Sequence, residues 1–159
     1  MDKTHHYTVA VKWTGNTGEG TKNYTAYQRS HTIVINNKVA LAGSSDAAFR
    51  GDKNKHSPED LFVSAIASCH MLWYLHLCSD AGITVTAYED AATGTMTETA
   101  NGGGKFTEVT LCPTVTIVNK LMVPQAVALH KKANELCFIA NSCNFPIHHK
   151  AVIVAGDNL

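Results

Sequence analysis

Ser57 to Gly82 reads SPEDLFVSAIASCHMLWYLHLCSDAG, a helix with both of its ends written in the sequence. Ser57 is a favoured capping residue, Pro58 suits the first helical position, and Glu59 with Asp60 complements the positive end of the helix dipole. Gly82 is a natural terminator. Between these signals, Leu61 to Cys78 is apolar nearly all round, the pattern of a central core helix or of one buried between subunits. Its length raises the question of a membrane span, but Ser64, Ser68, His70 and His76, with acidic residues abutting it, argue against one. Cys69 sits in its middle between Ser68 and His70. Buried cysteines ordinarily act as small hydrophobes, so a functional role for Cys69 has to be argued against that reading.

The flanking segments alternate. HYTVAVKW places Tyr7, Val9, Val11 and Trp13 on one side and predicts a strand. TGNTGEGTKN supplies turn chemistry before YTAYQRSHTIVI, a second predicted strand with Arg29, His31, Ile33 and Ile35 on one face. NNK closes a hairpin into VALAG, and the polar connector SSDAAFRGDKNKH leads to the helix. Beyond Gly82, ITVTAYEDAATGTMTETA and KFTEVTLCPTVTIV alternate around NGGG as another hairpin, with Pro113 indicating an edge or a bulge. VPQAVALHKKANELCFIANS predicts a second helix opening at Pro124, with Val127, Leu129, Ala133, Leu136, Cys137 and Ala140 on its apolar stripe. KAVIV is a last strand. Strands, helix, strands, helix and strand make an α+β domain, expected to be a single one over residues 1–159.

Lys plus Arg and Asp plus Glu number 13 each, and no basic run or basic face occurs, so nucleic acid and anionic membrane are not expected partners. The start of the chain has no signal-peptide pattern, and five cysteines without paired spacing fit a reducing cytoplasm better than a secreted disulfide framework.

Cys69 lies about 18 Å along the helix axis from Ser57, beyond reach of the dipole, so a thiolate there needs another positive charge. The chain has two arginines, Arg29 on the second predicted strand and Arg50 in the connector. A guanidinium is the usual companion of a partly buried thiolate. Arg29 is favoured because a strand holds a side chain more rigidly than a loop. Glu59 can hold such an arginine by a bidentate pair. Cys137, near the negative end of the second helix, suits a resolving thiol better than an attacking one, and Cys143 in the following turn is the alternative. Cys78, nine residues after Cys69, points to the opposite side, and Cys112 reads as core or edge filler. His70 is rotated about 100° from Cys69 and is badly placed as its base. His148 and His149 point apart, and no spacing suggests a metal or cofactor site.

PEDLFVSAIASCHMLWYLHLC resembles the central helix of the OsmC/Ohr family of osmotically inducible and organic-hydroperoxide-resistance proteins. YTAYQRSHTIVI, GSSDAAFRGD and ANELCFIANSCNFPI extend the likeness over nearly the whole chain. The resemblance implies antiparallel sheets around a long cysteine-bearing helix, an intertwined homodimer, and a thiol peroxidase in the cytoplasm. By position it makes Cys69 peroxidatic, Cys137 resolving, Arg29 activating and Glu59 its carboxylate partner, with hydroperoxide as substrate and a dihydrolipoyl protein or similar dithiol as reductant. The family's second cysteine is commonly followed by proline, whereas Phe138 stands here and Cys143 lies six residues on. The alternative is a non-catalytic small-ligand-binding or structural stress protein on the same fold, its thiols retained as packing.

Overall fold

The computed structural model describes residues 3–156, and they divide into two compact units that meet in sequence between Leu61 and Phe62. The first unit carries β1 (Ala10–Trp13), β2 (His31–Val34) and β3 (Leu41–Gly43), an antiparallel sheet in that order. The expected hairpin between β2 and β3 forms, with Asn37 in the left-handed conformation at its turn. The second predicted strand is shorter than its alternation suggests. Tyr24 to Ser30 lies outside β2 and pairs only irregularly, through a single bridge of Tyr27 to Asn16, so Arg29 sits in irregular chain two residues before β2.

Helix α1 (Pro58–Asp80) starts and stops where the sequence signals stand. Ser57 Oγ accepts from the Asp60 N–H at 3.1 Å while Asp60 Oδ2 accepts from the Ser57 N–H at 2.9 Å, a reciprocal cap. At the other end Ile83 N–H donates to Cys78 O, and Gly82 N–H to Ser79 O. That double closure requires the positive φ of 70° that Gly82 adopts without a Cβ clash. By length and composition α1 is apolar enough to cross a membrane, but its buried residues, Ile66, His70, Tyr74 and Cys78, recur every fourth position and pack as one stripe of a core helix.

The second unit holds two three-stranded sheets. β4 (Val85–Asp90), β7 (Pro113–Ile117) and β9 (Val152–Ala155) form one, and β5 (Thr93–Glu98), β6 (Gly104–Leu111) and β8 (Ile147–His149) the other. Each long alternating run of the predicted hairpin is thus split between the sheets. The break in the later run falls at Cys112, whose N–H leaves the ladder for Asp90 Oδ1 at 2.8 Å. Pro113 is therefore neither at a sheet edge nor in a bulge. It begins the central strand β7, where a missing N–H is tolerated.

Helix α2 (Val123–Leu136) follows β7 and returns the chain to β9, which pairs parallel with β7; β8 likewise pairs parallel with β6. Both sheets are mixed rather than antiparallel, because a helical crossover brings the next strand back in the same direction. The second helix ends earlier than its apolar pattern indicates. Cys137 is its extended C-cap and a separate 3₁₀ turn covers Ala140–Ser142. Of the expected stripe, Ala133 and Cys137 are buried and Leu129, Leu136 and Ala140 partly so, while Val127 is exposed and Ala126 and His130 complete the buried face instead.

Candidate functional site

The second unit brings Cys69 and Cys137 together. Cys69 is half-buried on α1, and Cys137, fully buried, lies at the end of α2 with its thiol close enough to that of Cys69 to be influenced by it. Burial, and then the adjoining Cys69 thiol, push the Cys137 thiol above the ordinary cysteine range. The Ala140 N–H donates to Cys137 Sγ at 3.4 Å, a weaker opposing effect. Cys137 is therefore a protonated thiol at neutral pH.

Cys143 is less buried than Cys137 and points elsewhere: its thiol donates to Ile139 O at 3.3 Å, and its side chain packs beside Ile66, Val109 and Leu111. Cys78 is buried among Tyr74, Ile83 and Val115 with its thiol raised by burial, in keeping with its expected turn away from Cys69. Cys112 is half-buried at the break between β6 and β7.

The charged candidates belong to the first unit. Arg29 is clamped between two rings, its Cζ 4.2 Å from the Tyr24 centroid and 4.3 Å from that of Tyr27. Its two terminal nitrogens donate to Tyr27 O at 2.6 Å and to Tyr24 O at 2.7 Å. Rigidity thus comes from stacking and carbonyl bonds, not from a strand ladder. Arg50, exposed and in the left-handed conformation, lies over the same Tyr24 ring at 6.0 Å. Among the described residues neither arginine is ion-paired with Glu59, and Glu59 Oε2 is buried without a hydrogen-bond partner. A carboxylate oxygen in that condition is costly until a cation or donor meets it.

Sequence reasoning missed the most extensive polar feature of the second unit. His70 and His130 meet between the helices with His70 Nε2 and His130 Nδ1 3.0 Å apart, and His149 stacks on His70 at 4.6 Å while Tyr74 stacks on His130 at 3.9 Å. Burial first, and then the neighbouring imidazoles, hold His70 down to about 3; burial and His149 hold His130 down to about 4. His149 is lowered by burial and by His148. The signal was present as spacing: His70 falls on the four-residue repeat of Ile66, Tyr74 and Cys78, and His130 on that of Ala126 and Ala133. No group of three or more metal-ligating side chains converges among the described residues.

Residues 51–151 match the family model described as OsmC-like protein. The solved structure of an OsmC-like protein of unknown function from Vibrio cholerae is 26% identical, with a TM-score of 0.85 over 94% of this chain and 100% of that one. An organic hydroperoxide resistance protein from Elizabethkingia anophelis aligns at 17% identity and a TM-score of 0.71, covering 98% of this chain and 100% of its own. One from Legionella pneumophila aligns at 20% identity and 0.67, covering 94% and 98%. At those identities the last two share the fold alone. No curated protein sequence matches the chain. With its mixed α+β sheets and cysteine-bearing central helix, the chain belongs to the OsmC-like protein family.

Proposed function

We propose that this protein is a thiol peroxidase that reduces organic hydroperoxides, with Cys69 as the attacking thiolate and Cys137 as the resolving thiol. The observation that carries this reading is the meeting of the two thiols, supplied by different helices, one reachable and one sealed. Two solved structures of the same fold bear the name organic hydroperoxide resistance protein, which supports the substrate class.

In the reaction, Cys69 Sγ attacks the terminal oxygen of ROOH, the O–O bond breaks, and the leaving alkoxide takes a proton to give ROH. Cys69 becomes a sulfenic acid. The Cys137 sulfur then attacks Cys69 Sγ, displacing water and forming a disulfide. Two exchanges with a dithiol such as a dihydrolipoyl group restore both thiols and leave that reductant as its cyclic disulfide. Arg29 is the proposed activating cation and Glu59 the carboxylate that receives it; the unpartnered Glu59 Oε2 supports a role that needs a cation. Arg50, sharing the Tyr24 ring, is the alternative cation, and Cys143 the alternative resolving thiol.

The working form is a cytoplasmic homodimer. Supporting this are the exposed apolar side chains of the first sheet, with Val11 66% exposed on the edge strand β1, and Leu72, 64% exposed on α1. The family match runs across the boundary between the two units, which favours one functional domain over residues 1–159.

Steady-state reduction of cumene hydroperoxide and of hydrogen peroxide, with dihydrolipoamide as reductant, tests the proposal. The expected result is turnover with kcat/KM favouring cumene hydroperoxide, in keeping with Met71, Leu72 and Trp73 beside Cys69. Absence of turnover with either peroxide leaves the non-catalytic reading.

A further inference from the structure

The two tyrosines that clamp Arg29 stand in different surroundings. Each offers the guanidinium both its ring and its carbonyl: Tyr24 at 4.2 Å from ring centroid to Cζ and 2.7 Å from carbonyl to nitrogen, Tyr27 at 4.3 and 2.6 Å. A guanidinium carries more N–H donors than those two bonds use, so the remainder stay free for an anion.

Tyr27 belongs to the packing of the first unit. The segment around it is pinned against the chain that follows β1: Ala26 O accepts from Thr17 Oγ1 at 2.7 Å, Gln28 O from Trp13 Nε1 at 2.8 Å, and the Gln28 N–H donates to Gly15 O at 2.9 Å. Gly15 permits this approach, because a Cβ there would overlap Gln28 O. The Trp13 ring meets that of Tyr27 edge-on at 5.9 Å. Tyr24, by contrast, is 57% exposed, and its hydroxyl makes only a long bond to Phe49 O at 3.4 Å. A ring so open to water contributes little to a core, and its closest aromatic contact is with a cation.

We propose that Tyr24 is a positioning residue for the thiol chemistry, its ring face and carbonyl fixing the Arg29 guanidinium in the orientation in which its charge serves the Cys69 thiolate. The inference rests on the reading of Arg29 as the activating cation. An arginine side chain is long and flexible, and a clamp that orders it beforehand removes that cost from the reaction. Arg50 lies farther from the same ring, at 6.0 Å, so the Tyr24 ring acts first on Arg29.

Alkylation of Cys69 by iodoacetamide, followed by peptide mass in the reduced full-length protein at pH 6.5 and pH 9.5, tests this. The thiolate is the reacting form, so loss of a stabilising cation slows alkylation at the lower pH and leaves it unchanged at the higher one. Arg29→Ala should slow alkylation at pH 6.5 about tenfold or more, the effect of removing a neighbouring opposite charge. Tyr24→Leu and, separately, Tyr24→Gln should slow it about fivefold, the size of one cation–π contact. Tyr24→Phe keeps the ring and should react at the wild-type rate, and Tyr24→Leu added to Arg29→Ala should slow alkylation no further. Tyr24→Leu and Tyr24→Gln at the wild-type rate beside a slow Arg29→Ala overturn the role of Tyr24 and leave that of Arg29 standing. Arg29→Ala at the wild-type rate overturns both. Equal slowing at the two pH values, a loss in Tyr24→Phe as large as in Tyr24→Leu, or a further loss in the double variant overturns the proposal as well.

Discussion

Cys69 and His70 are neighbours on one helix and each meets a partner of its own kind from the α2 segment, yet the two meetings differ in everything that decides chemistry. The thiol pair joins a half-buried Cys69 to a sealed Cys137. The imidazole pair joins His70, 1% exposed, to His130, and closes it with the rings of Tyr74 and His149. A rotation of about 100° between successive helical residues is the whole geometric difference. It gives one residue access to a small molecule and makes the other part of the core. Adjacency in sequence therefore says nothing here about shared function.

Substitutions separate the two pairs. Cys69→Ser should lower hydroperoxide turnover by roughly 10³-fold or more, the loss expected on removing a nucleophile, while Cys78→Ser on the same helix leaves turnover near wild type. Steady-state rates check both, and equal losses would dissolve the distinction between a reactive and a packing cysteine. His130→Ala should act on stability instead. It leaves His70 Nε2 without its partner and opens a space against Tyr74, at a cost of about 2–4 kcal/mol in urea unfolding.

Acid should separate the pairs as well. The folded chain holds His70 and His130 below their ordinary value of 6.5, so below that pH the unfolded chain takes up protons that the folded chain refuses. Stability is full above about pH 6.5 and falls as pH drops toward 4, by about 1.4 kcal/mol per pH unit for each such histidine. Urea midpoints between pH 7 and pH 4.5 report this slope, and His130→Ala should flatten it. The smallest expected effect lies at the start of the helix that carries both pairs. Ser57→Ala removes one capping bond and should cost about 1 kcal/mol with no change in turnover.

Much of this frame is legible in the sequence because its signals are local. Ser57, Pro58 and Gly82 fix the ends of α1 through bonds made within a few residues, and the turns after β2 and β5 fix their hairpins. What local signals do not carry is partnership across the chain. β8 pairs in parallel with β6, and at the break in the run through Cys112 the Cys112 N–H goes to Asp90 Oδ1. Arg29 looks like a strand residue by alternation, but it stands before the regular ladder, and its guanidinium is held by the carbonyls of Tyr24 and Tyr27. The family resemblance brought Cys69 and Cys137 forward as a pair. His70, His130 and His149 come from three separate elements, and spacing within any one of them does not reveal that they meet.

The most direct measurement is disulfide mapping. Reduced protein treated with one equivalent of cumene hydroperoxide, quenched and digested, is predicted to yield a peptide pair joined through Cys69 and Cys137, with Cys143 still alkylatable. Cys69 recovered unmodified after minutes, or joined to Cys143, would contradict the account.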